Sequence, residues 1–220
     1  MQFVTTELQE LAAAYLKKHN YDSSHDINHA RRVAEYAYMV IEKGKYQETI
    51  PIPLTIISAF LHDLVDKKYV SSGDELVASL RDLFAPAEMT IILLIIDNIS
   101  FSKRAARRAR GLPMIDIAGV ISESSTIGVT LFAAPQIQLM VEIVCDADML
   151  DAYDAQRCID YGVNRLKLSA DVLDHHVKKI LCDRVLKYKD EYFNTAAARE
   201  ICLPMHAALV EYVAKHYGSV

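Results

Sequence analysis

The stretch His25-Asp26-Ile27-Asn28-His29-Ala30-Arg31-Arg32-Val33 holds two imidazoles and a carboxylate, and Leu61-His62-Asp63 adds one more of each. Adjacent His62 and Asp63 close the most apolar run of the first half, Ile50 to Val65. Polar side chains are costly in such a setting unless something shared holds them, and a divalent cation is the usual reason. An acidic cluster far downstream, Asp146-Ala147-Asp148-Met149-Leu150-Asp151, is where a fourth ligand could come from.

Helices must position these groups. Residues 5 to 19 read as a capped amphipathic helix, with Thr5 or Thr6 as cap and Leu8, Leu11, Ala12 and Tyr15 at helical spacing. Ser23 or Ser24 starts the next helix, whose apolar stripe is Ala30, Val33, Ala34, Ala37, Val40 and Ile41, and Gly44 ends it. His29 lies at the margin of that stripe and His25 near the helix mouth. Leu54 to about Val65 is apolar nearly all round, which predicts a buried helix. Ser71 to Phe84 reads as a surface helix, and Pro86 suits the first turn of another. The run Ile91 to Ile96 fits a buried strand equally well by periodicity, and its neighbours favour helix. From Ile137 a helix carries the acidic cluster, and residues 170–192 and 196–217 close the bundle. His175, His176, His206 and His216 have no acidic partner in register there, so they read as surface or core histidines.

Composition sets wider bounds. The chain has 220 residues, 52% of them hydrophobic, with 7 Gly and 6 Pro, which favours a single, largely helical domain over 1–220. A net charge of -5 gives no general pull toward nucleic acid or anionic membrane. The four cysteines lack C-x-x-C spacing and sit beside apolar residues, so buried thiols in a cytoplasmic protein are expected. No segment reaches ~18 uninterrupted apolar residues, and the start has no basic or apolar leader pattern, so neither export nor a membrane span is expected.

His29-Ala-Arg-Arg-Val, the His62-Asp63 doublet and Asp-Ala-Asp-x-Leu-Asp-Ala over residues 146–152, in that order, resemble the HD-domain metal-dependent phosphohydrolases. The resemblance runs from about Ser24 to Gly162, nearest to small single-domain members with nucleotide hydrolase activity. It implies an all-α HD-domain helical bundle and a metal site of His29, His62, Asp63 and Asp148. Helical geometry also selects Asp148, because residues two apart point roughly 200° from one another and Asp148 shares the side of Val141, Val144 and Asp151, expected to be the buried one. This chain has Met149 where the family often carries Arg. It also departs over residues 102–135, where the basic run Lys103-Arg104-Ala-Ala-Arg107-Arg108-Ala-Arg110 enters a Ser/Gly/Thr-rich stretch that reads as a flexible insertion, either a mobile flap or an oligomer (homodimer) contact. The run could grip phosphate, polyphosphate or RNA, but reads first as a solvated helical face or a mobile loop.

Two imidazoles and two carboxylates leave positions open on a divalent ion (Mn, Co, Ni, Fe, Zn or Mg) for water and substrate oxygen. No histidine lies between His62 and Asp148, so one ion is expected rather than two. His25, Asp66 and Lys67 are candidates for proton transfer and water orientation, with Asp26 beside them, and Arg31 and Arg32 for phosphate binding. The expected activity is hydrolysis of a nucleotide, as a triphosphate pyrophosphohydrolase or a nucleotidase. The alternatives are HD-type hydration of a small nitrile such as cyanamide, or a non-catalytic binding domain.

Overall fold

The structure, a computed structural model, describes residues 3–113, 115, 117 and 132–218. Over these residues the chain is helical and contains no strand. Helix α1 is Thr6–Lys18, with the Thr5 hydroxyl accepting from Leu8 N (3.2 Å) and Leu8, Ala12, Tyr15 and Leu16 buried. A single 3-10 turn, Ser23–His25, precedes α2 (Ile27–Gly44). The cap of α2 is Asp26 rather than Ser23 or Ser24: its Oδ1 accepts from Asn28 N and His29 N, both at 2.9 Å. The left-handed residue ending α2 is Lys45 (φ 57°), not Gly44. Gly44 is needed for space instead, since a Cβ there would lie 2.1 Å from the Tyr46 ring.

Helix α3 (Ile52–Leu61) is buried from Leu54 onward and stops just before the His62-Asp63 doublet. Then come α4 (Asp74–Leu80) and α5 (Pro86–Asn98), which settles Ile91 to Ile96 as helix. The basic run forms a helix too, α6 (Phe101–Ala109). Arg104 of α6 is buried, Lys103 Nζ donates to Asp97 O (3.1 Å), and Arg108 pairs with Glu191 (3.0 Å) over the Tyr192 ring. The basic run is thus a helix with Arg104 packed inward and most of its other basic residues exposed, while residues 114, 116 and 118–131 of the expected insertion lie outside the described residues.

Helix α7 (Ala134–Asp151) is buried on nearly every side and packs most extensively on α2, where Ala30, Ala34 and Ala37 let the two axes approach. Helix α3 lies against both. Helix α8 (Ala155–Asp160) and a wide turn (Tyr161–Arg165) lead to α9 (Ala170–Asp183), the short α10 (Tyr188–Glu191) and α11 (Ala196–Tyr217). Among the described residues no helix is long and apolar enough to cross a membrane.

The first aspartate of the acidic cluster holds two of these elements together. Asp146 is fully buried and accepts from Asn194 N (2.9 Å), Asn194 Nδ2 (2.8 Å), Thr195 N (2.8 Å) and Thr195 Oγ1 (2.8 Å), at the N-terminal end of α11. Burial pushes its carboxyl up to about 6, against the lowering by these bonds. Replacing it strands four donors, so Asp146→Ala should lose about 2–4 kcal/mol of stability. Denaturant unfolding monitored by circular dichroism measures this. Deleting residues 103–112 should likewise lower the melting temperature, the reverse of what a flap would do, and an unchanged scan would return that segment to the periphery.

Candidate metal centre

The doublet, the first turns of α2 and the end of α7 meet at one point. His29 Nε2 and His62 Nε2 face each other at 3.2 Å, and Asp63 Oδ2 lies 3.1 Å from the first and 3.3 Å from the second. Asp148 Oδ1 stands 3.7 Å and 3.8 Å from the same two nitrogens. The outer nitrogens are committed elsewhere: His29 Nδ1 contacts Asp151 Oδ2 (2.7 Å) and His62 Nδ1 contacts Ala59 O (2.8 Å). A carboxylate and a carbonyl only accept, so both Nδ1 atoms carry hydrogen and both Nε2 lone pairs point inward. Asp63 Oδ2 is buried with no hydrogen-bond donor of its own. Converging lone pairs around an orphaned carboxylate oxygen make a cation site, and His29, His62 and Asp63 are the donors close enough to share one ion.

When no ion is bound, a proton stands in for the cation. Burial by itself would lower the His62 pKa, yet Asp63 and Asp148 lift it to about 9. Burial works against ionised Asp63, and the neighbouring His62 and His25 hold it well below the usual carboxylate range. Asp148 is likewise held down, against burial, by Arg157 and His62. Without an ion, a proton on His62 therefore balances the carboxylates, and it occupies the inward position that a divalent ion would claim.

Tertiary structure fixes the supporting groups. Tyr21 donates to the carbonyls of Asp63 (3.1 Å) and Leu64 (3.0 Å), fastening the turn after α3, and its ring stacks on Tyr69. Arg32 grips Asp151 through Nε (2.6 Å) and Nη2 (3.1 Å), so it orients the partner of His29. Arg31 is directed to Gln9 Oε1 of α1 (3.1 Å). Asp66 accepts from Lys68 N (2.9 Å) and pairs with Lys68 Nζ (3.2 Å), while Lys67 is exposed in the same turn. The structure therefore brings His29, His62, Asp63 and Asp148 together and leaves Asp66, Lys67 and Arg31 outside their contact. The expected burial contrast on α7 is reversed: Asp146 is the fully buried aspartate, and Asp148 is partly open where it faces the cluster.

His25 does reach the centre. Its Nε2 is 3.9 Å from Asp63 Oδ2, and its Nδ1 contacts Ser24 Oγ (2.7 Å) and Tyr69 Oη (3.1 Å). Both hydroxyls direct their hydrogens to Asp22, Ser24 to Oδ1 at 2.5 Å and Tyr69 to Oδ2. Their oxygens are left to accept from Nδ1–H, so the His25 Nε2 lone pair faces the cluster.

One residue of the centre escaped the sequence reading. Arg157 of α8 places Nη1 3.3 Å from Asp148 Oδ1 and Nη2 3.0 Å from His29 Nε2, with Nε donating to Ser24 O (3.0 Å). The local signal was slight: Asp154 caps α8 by accepting from Gln156 N, which fixes the helix register but not its target. Arg157 Nη2 takes the lone pair that a metal at His29 would use. The Arg157→Met protein should consequently bind divalent cations about tenfold more tightly, or about 1.4 kcal/mol, through loss of a competing positive charge. Calorimetric titration with manganese checks this, and weaker binding would mean that the guanidinium supports the ligands instead.

The chain matches no known family model and no curated protein. Its structure is similar to the crystal structure of a Lactobacillus plantarum protein, a structural-genomics target, at a TM-score of 0.61 and 20% identity, covering 97% of this chain and 94% of that one. At that identity the likeness is one of fold.

Proposed function

We propose that this protein is a metal-dependent phosphohydrolase of the HD type acting on a nucleotide, with one divalent ion held by His29, His62, Asp63 and Asp148. The observation that carries the reading is the meeting of two imidazole nitrogens and a carboxylate oxygen within 3.3 Å, with no donor supplied to that oxygen. A divalent ion bound there supplies an activated water and polarises a phosphoryl oxygen. The chain's own groups do the rest. Asp151 fixes the His29 ring with its lone pair inward, and Arg32 fixes Asp151. His25 Nε2, held by the Ser24–Tyr69–Asp22 array, is placed to accept a proton at the edge of the cluster. Arg157 presents a guanidinium beside the ligands, which suits an anionic substrate better than a neutral nitrile. The four cysteines are free thiols, in keeping with a cytoplasmic location.

Purified protein supplied with manganese, cobalt, nickel or magnesium should hydrolyse at least one member of a panel of nucleoside mono- and triphosphates. The His62→Ala protein should lose both the ion and the activity. Asp151→Asn, which weakens the hold on His29 and the pairing with Arg32 without removing a ligand, should lose about 10–100-fold in metal affinity or activity. Activity retained in His62→Ala, or turnover of cyanamide with no turnover of any phosphate ester, would overturn the proposal.

A further inference from the structure

Three arginines are held by carboxylates. Arg32 meets Asp151, Arg108 meets Glu191, and Arg157 meets Asp148, each within 3.3 Å. Arg104 and Arg184 make no carboxylate pair among the described residues, and they flank the same ring. The Arg184 guanidinium lies 4.0 Å from the Phe101 ring centre and that of Arg104 lies 5.9 Å from it. Arg104 is 1% exposed; its Nε donates to Ile99 O (3.3 Å), but Nη1 and Nη2 have no acceptor. Arg184 is exposed, and its Nε donates to Tyr188 Oη at 2.5 Å. A buried guanidinium with two unanswered nitrogens carries a large desolvation cost that an anion would remove. The exposed Arg184 beside it marks the side from which that anion can arrive.

This pair sits on the flank of the metal centre. Cys145 Sγ shares the Ile99 carbonyl with Arg104 (3.8 Å), and Cys145 precedes Asp148 by one helical turn of α7, about 5 Å of rise. On the other side, the Tyr188 hydroxyl held by Arg184 senses Asp148 and Arg157 electrostatically. Two guanidiniums without carboxylate partners, on the flank of a cation site, match a ligand with several linked anionic groups. Bidentate N–H donation is the geometry that phosphate oxygens favour.

We propose that Arg104 and Arg184 form an anion subsite that takes the outer phosphates of a nucleoside triphosphate whose scissile phosphate lies at the metal centre. The phosphohydrolase reading supplies the substrate identity, whereas the anion site itself rests on the two arginines. Neither arginine touches the metal cluster, so binding and hydrolysis can be tested apart.

Inorganic tripolyphosphate is the probe, titrated calorimetrically into wild-type, Arg104→Met, Arg184→Met and His62→Ala proteins with a chelator present. Wild-type protein should bind it, His62→Ala should bind it equally, and each Arg→Met protein should bind it at least tenfold more weakly. A nucleoside triphosphate should compete and the monophosphate should not. Arg184 is exposed, so its variant should keep the wild-type circular dichroism spectrum with only a modest loss of melting temperature from its Tyr188 and Phe101 contacts, and the test stands even where Arg104→Met folds poorly. Absence of tripolyphosphate binding by wild-type protein, or unchanged affinity in Arg184→Met, would overturn the subsite. Failure of the nucleoside triphosphate to compete would overturn the substrate assignment and point to free polyphosphate. Arginine-dependent binding without turnover under any cation would support the anion site and reject the hydrolase reading alone.

Discussion

Two imidazole lone pairs aimed at each other across 3.2 Å, with a buried carboxylate oxygen against both, repel unless positive charge lies among them. Much of the surrounding structure holds these groups in that unfavourable array. Asp151 and the Ala59 carbonyl keep the two rings turned inward, Tyr21 pins the doublet's backbone, and α2 and α7 close around them. Removing a supporting group frees a ring to turn away, so function here depends on residues that never touch a ligand.

The two aspartates of the Asp-x-Asp segment show how one helix serves two purposes. Asp146 is spent on stability, capping α11 and tying the C-terminal helix to the core. Asp148, nearly opposite on the helix, faces the centre. Because α7 is buried almost all round, neither aspartate is a surface charge, and each is tolerated only through its own set of donors or cations.

Arginine distribution carries a similar lesson. Arg32 and Arg157 neutralise the acidic side of the centre, and they lock Asp151 and Asp148 in place. Arg104 and Arg184 are left without carboxylates around Phe101. The centre is thus rich in both signs of charge, with acidic groups around the candidate cation position and basic groups toward α6 and the end of α9.

Much of this was legible in the residues themselves. Apolar periodicity located α1, α2, α3 and α7, because a buried helix face must repeat at 3.6 residues whatever packs on it. Spacing showed that Asp146 and Asp148 cannot share one point, since the 100° advance per residue is a local property of the helix, but the buried side proved to be that of Asp146. Other features depended on contacts between residues far apart in the chain. The basic run is a helix with most of its charges in solvent, but charge pattern could not reveal that Phe101 and Arg104 would pack inward. Arg31 and Arg32 looked alike in sequence, yet one faces α1 and the other Asp151, as the orientation of α2 against its neighbours dictates. Arg157, 128 residues from His29, reaches the centre only because α8 turns back across the end of α7. Local sequence determined which segments are helical and which residue types could bind a cation; only the packing of the helices decided which side chains share a common point.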